Sequence, residues 1–130
     1  MLPRGDVIQL YEHAAVFCCP SVYEPFGIIN LEAMACETPV VASAVGGIPE
    51  IVVPDETGLL VEFEPVGTGN ADPADPAAFS NALAENINAL LDAPDRRAAM
   101  ARAARERVEQ VFSWTRIAEQ TLDFYTALMD

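Results

Sequence analysis

Three apolar runs of strand length, separated by segments of helical character, constrain this chain more than any other feature. Ala15 to Cys19, Pro39 to Ser43 and Thr57 to Val61 are apolar along their length rather than alternating. A strand that is apolar on both faces belongs in a sheet covered on both sides, the usual setting of parallel strands. Parallel neighbours need crossover connections, and the intervening sequence offers them. A helix is predicted from about Gly27 to Cys36, after a loop from Val22 to Phe26, and a single helical turn from Ile48 to Val52. Pro20-Ser21 and Gly46-Gly47 stop the first two runs. Strand, helix, strand, short helix, strand within about fifty residues implies right-handed crossovers and an α/β fold.

The flanks are of other kinds. Asp6 is placed to cap a short helix from Val7 to about His13. Glu64 to Pro76 is rich in Gly, Pro, Asp and Asn and reads as a long exposed loop. Three helices follow, Ala77–Leu91, Asp95–Phe112 and Ser113–Met129, the last with Ser113 as its N-cap. No internal repeat and no second domain is visible. Three strands are fewer than the roughly five or six of an open doubly wound sheet. The expectation is a Rossmann-like, three-layer parallel sheet with a helical C-terminal segment, whose first strands lie upstream of residue 1.

Charge narrows the partners. The chain carries 20 acidic and 7 basic residues, a net charge of −13, and every cation is Arg. Such a surface repels nucleic acid and anionic membranes, so neither is an expected partner. No apolar run reaches the roughly 18–20 residues of a membrane helix and the N-terminus is no signal peptide, so cytoplasm is the default. Cys18, Cys19 and Cys36 lack metal-ligand spacing and an even count, and read as small buried hydrophobes. No metal and no cofactor is expected.

The segment from Pro20 to Glu32 holds the chemistry. In open α/β sheets, ligands bind beyond the carboxyl ends of the strands, and the loop after Cys19 is such a place. It ends at a helix N-terminus, whose free N–H groups and dipole hold oxyanions or hydroxyls without a cation. Gly27, lacking Cβ, would let a ligand approach the backbone closely. Glu24 precedes the helix. Glu32 shares a helical stripe with Ile28, Leu31 and Ala35, and a carboxylate on a buried stripe needs a hydrogen-bonding partner such as paired hydroxyls. On spacing alone, Glu24 is equally readable as a helix cap and Glu32 as a solvated helix residue.

The same words carry a resemblance. Pro20-Ser21, Glu24-Pro25-Phe26-Gly27, Leu31-Glu32-Ala33-Met34-Ala35, Pro39 to Ser43, Gly46-Gly47-Ile48-Pro49-Glu50 and Thr57 to Val61 are similar to the retaining glycosyltransferases with the two-Rossmann-domain (GT-B) fold. That group includes bacterial glycogen synthases, sucrose synthases and many mannosyltransferases. Two glutamates with seven residues between them, in this setting, are specific to it, and the wording is most like the glycogen synthases. The resemblance implies that residues 1–130 are part of the C-terminal, nucleotide-sugar-binding domain, with the acceptor domain elsewhere. It implies transfer with retention from ADP- or UDP-glucose to a growing glucan. A mannosyl- or glucosyltransferase acting on a lipid or small acceptor, or a non-catalytic nucleotide-binding module, is the alternative.

By the same resemblance, Glu24 is the catalytic residue, reaching the transferred sugar and the charge developing at its anomeric carbon. Pro25, Phe26 and Gly27 would present the backbone to sugar hydroxyls and Ile28 would lie beside the nucleotide. Glu32 would take the ribose hydroxyls, and Gly46-Gly47 would form the adjoining loop. The Arg and Lys that face the donor diphosphate in this group belong to sequence before residue 1, and this chain alone would bind donor weakly and be inactive. Glu37 stands where the group has Gly, so the helix exit there must accept another residue. Four further features read as structural: His13 at a helix end; the Arg-rich stretch from Arg96 to Arg107, as a solvated helix face; and Trp114 and Tyr125, in core-like register with Ile117, Leu122 and Leu128.

Overall fold

Each of the three runs forms a strand. The computed structural model describes residues 2–67 and 72–129. Strands β1 (Phe17–Cys19), β2 (Val40–Ser43) and β3 (Gly58–Val61) form a parallel sheet in the order β1-β2-β3. Phe17 pairs with Val40, and Val40 in turn with Gly58. Helix α1 (Arg4–His13) precedes β1, α2 (Ile28–Ala35) and α3 (Ile48–Ile51) connect the strands, and α4 (Pro76–Leu91), α5 (Pro94–Arg107) and α6 (Trp114–Ala127) follow. The strands are shorter than their apolar runs because Ala15-Val16, Pro39 and Thr57 lie just before them, although the Pro39 carbonyl accepts the Phe17 N–H at 2.9 Å.

Period-two alternation sorts the strand side chains onto two faces. Val40 and Ala42 join Ala33, Met34, Ile48, Ile51 and Ala104 on one face, against α2, α3 and α5. Val41 and Leu59 join Leu90 and Met100 on the other, against α4 and α5. This is the expected three-layer arrangement. Helix α5 closes both faces, giving Ala104 to one cluster and Met100 to the other. Full burial of a Val or Leu side chain contributes about 1.5–3 kcal/mol, so the two clusters supply most of the cohesion.

The exit from α2 shows why a residue other than glycine matters there. Glu37 adopts φ 56°, the left-handed conformation that glycine takes most easily. Its N–H donates to the Met34 carbonyl at 3.1 Å and that of Thr38 to Ala33 at 3.0 Å, the double closure of a Schellman motif. The departure noted at this position is thus accommodated with backbone strain.

Several expectations are corrected. Asp6 lies inside the first turn of α1, which starts at Arg4 and has no side-chain cap. The second of the long helices gives way at Val108–Phe112 to a π-helical turn. Ser113 does cap α6, its hydroxyl accepting from the Arg116 N–H at 3.3 Å. The stripe on α6, however, is not core: Trp114 is 88% exposed, and Leu122, Tyr125 and Leu128 are also exposed, because no described element lies over that face. Cys18 is exposed on the edge strand β1, while Cys19 is buried. The long loop after β3 is closed at its base, where Ala74 N–H donates to Glu64 at 2.7 Å and Val66 N–H to Asp72 at 3.0 Å; its residues 68–71 lie outside the described chain.

The arginines of α5 were the least legible. Arg105 donates to the Ala35 carbonyl at the end of α2 and pairs with Glu109. Arg107 donates to the carbonyls of Ile51 at 2.7 Å and Glu50 at 2.8 Å, with its guanidinium 5.6 Å from the Phe112 ring centroid. Arg97 reaches the last carbonyls of α4, and Arg96 pairs with Asp55 at 2.8 Å. Arg97, Arg105 and Arg107 thus clamp helix ends, a use that complements the negative end of each helix dipole, while Arg96 and Arg102 stay on the exposed face as expected.

Candidate functional site

The loop after β1 is tied to the sheet by a serine. Ser43, at the carboxyl end of β2 and fully buried, donates to the carbonyls of Cys19 at 3.3 Å and Ser21. A polar residue ending an apolar strand was the available signal for this tie. Beyond it, Glu24-Pro25-Phe26 runs across the loop after β2, backbone against backbone. Gly47 N–H donates to the Glu24 carbonyl at 3.1 Å. A Cβ on Gly46 would sit 1.8 Å from that carbonyl oxygen, and one on Gly47 would sit 2.7 Å from Phe26 Cα. Two consecutive glycines are therefore what allow the loops to touch.

Gly27 is the N-cap of α2, with φ 98° and no side-chain cap beyond it. A Cβ there would meet Asn30 Nδ2 at 2.8 Å, Ile48 Cγ1 at 3.2 Å and Glu24 Cγ at 3.4 Å. The need for glycine thus comes from inside, from its backbone conformation and its buried neighbours. The loop is supported from the far side by Phe26, whose ring stands edge-on to Phe112 at 6.3 Å, and Phe112 in turn lies against Arg107.

Of the site residues expected from sequence, Glu24, Pro25, Phe26, Gly27, Gly46 and Gly47 are gathered by these contacts at the carboxyl edge of the sheet. Ile28 follows as the first residue of α2. Glu24 is half-buried, Gly27 and Gly47 are buried, and Phe26 and Ile28 expose apolar surface together with Val22, Tyr23 and Ile29. Glu32 is corrected. The core face of α2 is Asn30, Ala33 and Met34, and Glu32 is exposed. The wheel drawn through Ile28 was misaligned because a polar residue, Asn30, occupies a core position while Ile28 does not.

Glu32 instead faces a cleft of about 310 Å³ between α1, α2 and α5, whose walls include Arg4, Val7, Ile8, Tyr11 and Arg105. The Tyr11 hydroxyl donates to Glu32 Oε2 at 3.4 Å, a long bond. Burial pushes the Tyr11 phenol up, and the Glu32 carboxylate and its hydrogen bond push it further. The cleft combines an apolar wall, two carboxylates (Glu12 and Glu32) and two guanidiniums, a lining suited to a flat ring bearing hydroxyls. Tyr11 and Arg105 were not foreseen as parts of it. A larger cleft, about 430 Å³ against β3 and α4, takes none of its walls from this constellation.

Comparison with known proteins identifies the family and the fold. Residues 1–67 match the family described as glycosyl transferases group 1. The chain is 51% identical over 125 residues to the alpha-maltose-1-phosphate synthase of Mycolicibacterium smegmatis, covering 96% of this chain and 30% of that protein. It is 42% identical to the D-inositol 3-phosphate glycosyltransferase of Kribbella flavida, covering 95% of this chain and 26% of that protein. The crystal structure of Anabaena HepE in complex with UDP and glucose matches with a TM-score of 0.75 at 29% identity, over 95% of this chain and 30% of that one. The chain thus spans less than a third of the length of these relatives. Its fold is that of the C-terminal domains of GT-B glycosyltransferases, and the chain belongs to the group 1 glycosyltransferases.

Proposed function

We propose that these residues form the donor half of a glycosyltransferase that moves a glucosyl unit, with retention, from a nucleotide sugar to a phosphorylated sugar or polyol. The observation that carries this reading is the docking of Gly46-Gly47 on Glu24-Pro25-Phe26, which fixes the Glu24 main chain beside an α2 N-terminus that has no side-chain cap. Donors at that N-terminus suit the oxygens of a diphosphate or a sugar. Glu24 stabilises the positive charge of an oxocarbenium-like transition state electrostatically, as leaving group and acceptor exchange on one face of the sugar. No covalent bond to Glu24 is required. Glu32 accepts the ribose hydroxyls, in place of the long bond from Tyr11, and the Arg4–Tyr11 side of the cleft covers the base. By themselves the 130 residues bind donor weakly and transfer nothing.

The donor assignment draws support from HepE, solved with UDP and glucose. For the acceptor, the names of both relatives contain a phosphorylated sugar or polyol, which favours a compound such as glucose 1-phosphate over the growing glucan that the sequence wording suggested. The test is to incubate the full-length protein with ADP-glucose or UDP-glucose and offer glucose 1-phosphate, D-inositol 3-phosphate or glycogen. Proton NMR of the product reads the configuration of the new linkage. An α-linked product on a phosphorylated acceptor is expected. Transfer to glycogen alone restores the glucan reading, and an inverted product refutes retention. Calorimetry with Glu32→Ala beside the parent tests the nucleoside side; equal donor affinity removes Glu32 from the site.

A further inference from the structure

Asn30 is the one fully buried side chain among the described residues whose polar atoms are both without a hydrogen-bond partner. A buried carboxamide left in this state is unfavourable, and a Leu of similar shape would avoid the penalty. Its neighbours locate what it lacks. Asn30 is the third residue of α2, so its side chain turns back over the N-cap, and its Nδ2 would lie 2.8 Å from a Cβ on Gly27. Glu24 Cγ would lie 3.4 Å from the same point. The Glu24 carboxylate accepts no hydrogen bond from any described residue. An unpaired donor and an unpaired acceptor therefore flank one glycine, with Ile48 Cγ1 3.2 Å from the same point.

We propose that Asn30 is a positioning residue for Glu24: its carboxamide N–H donates to the Glu24 carboxylate when donor occupies the site, and so orients the carboxylate beneath the anomeric carbon. This inference rests on the catalytic reading of Glu24. Being fully buried beneath the loop, Asn30 acts through Glu24 and does not touch the sugar. In this proposal the approach is made by the Glu24 side chain, since Gly46 and Gly47 hold the loop backbone in place.

The test uses the full-length protein, with turnover of ADP-glucose or UDP-glucose, the KM for that donor and thermal unfolding measured on Asn30→Leu and Glu24→Gln, singly and combined. Asn30→Leu is expected to lower kcat about 10- to 100-fold, with little change in KM and an unfolding midpoint no lower than the parent's. In the Glu24→Gln background the same change should have no further effect on kcat, because the group it orients is gone. Parental kcat in Asn30→Leu, beside an inactive Glu24→Gln, overturns the positioning role and leaves Glu24 standing. Parental kcat in Glu24→Gln overturns the reading on which the inference rests. A raised KM at unchanged kcat would show that Asn30 serves binding alone, and overturns the proposal. Should Asn30→Leu fail to fold, Asn30→Asp replaces it: isosteric, it sets a second carboxylate beside Glu24 and should depress kcat at least as far, and parental kcat there overturns the proposal.

Discussion

A methyl group on Gly46 is the smallest perturbation that tests how Glu24 is held. Gly46 has φ 52°, so an alanine there sits in the left-handed region at about 1 kcal/mol. Its Cβ would stand 1.8 Å from the Glu24 carbonyl oxygen. A carbon–oxygen contact settles near 3.3–3.6 Å, so the two loops must separate by about 1.5 Å. That movement breaks the 3.1 Å bond from Gly47 N–H to Glu24, a further loss of about 1 kcal/mol. The remaining overlap is between backbones and cannot be relieved by a rotamer change, which adds about 1–3 kcal/mol. The expected destabilisation of Gly46→Ala is about 3–5 kcal/mol, or about an 11–18 °C lower unfolding midpoint in a chain of this length. Gly5→Ala is the control. Gly5 lies in α1 with nothing within 4 Å of its would-be Cβ, so the same methyl there should stabilise by about 0.5–1 kcal/mol. Both are read by circular dichroism melts at matched concentration. In the full-length protein, a carboxylate displaced by about 1 Å should turn over donor about 100-fold more slowly. A Gly46→Ala variant that melts with the parent refutes the argument that close approach is what requires glycine there.

Three further outcomes follow from the same geometry. Glu37→Gly should raise stability by about 0.5–1 kcal/mol in urea unfolding, because relief of the left-handed strain and of a negative charge at the α2 C-terminus outweighs the added freedom of the unfolded chain. Arg107→Met should lose about 2 kcal/mol, with a lower urea midpoint, since the carbonyls of Glu50 and Ile51 lose a charged donor. Glu32→Gln should move the Tyr11 phenol down, seen in ultraviolet titration, while burial keeps it above the ordinary tyrosine range. The sign for stability follows from that shift: the folded chain holds the phenolic proton more tightly than the unfolded one. Stability therefore declines as pH rises past the ordinary tyrosine range, and Glu32→Gln should flatten that decline.

The alternation of apolar runs with helical segments was enough to read the sheet, because burial on both faces leaves an unambiguous mark on strand composition. Glu24 and the Gly46-Gly47 pair stand out in the sequence through the family resemblance, and the structure gathers them with Gly27 at strand ends and a helix start. What escaped was everything that depends on a partner distant in sequence. Arg105 and Arg107 look solvated on their own helix, and only the folded chain brings them to carbonyls about seventy and fifty-six residues away. Asn30 misdirected the helical wheel, since a polar residue at a core position reverses the pattern on which the wheel depends. The stripe on α6 is a true amphipathic signal, but periodicity marks a face that wants covering and says nothing of what covers it.

Contact through main chain alone has a consequence for how this site can diversify. Gly46 and Gly47 recognise the carbonyl and Cα positions of Glu24 to Phe26, which every amino acid presents alike. The side chains of Val22, Tyr23 and Ile28 are exposed and take no part in that recognition. On the proposed reading, substitutions there would reshape the wall that meets donor or acceptor while the Glu24 main chain stays on its rail. Specificity and catalytic geometry would then be written in separate atoms of one short loop, the first free to drift while the second is retained.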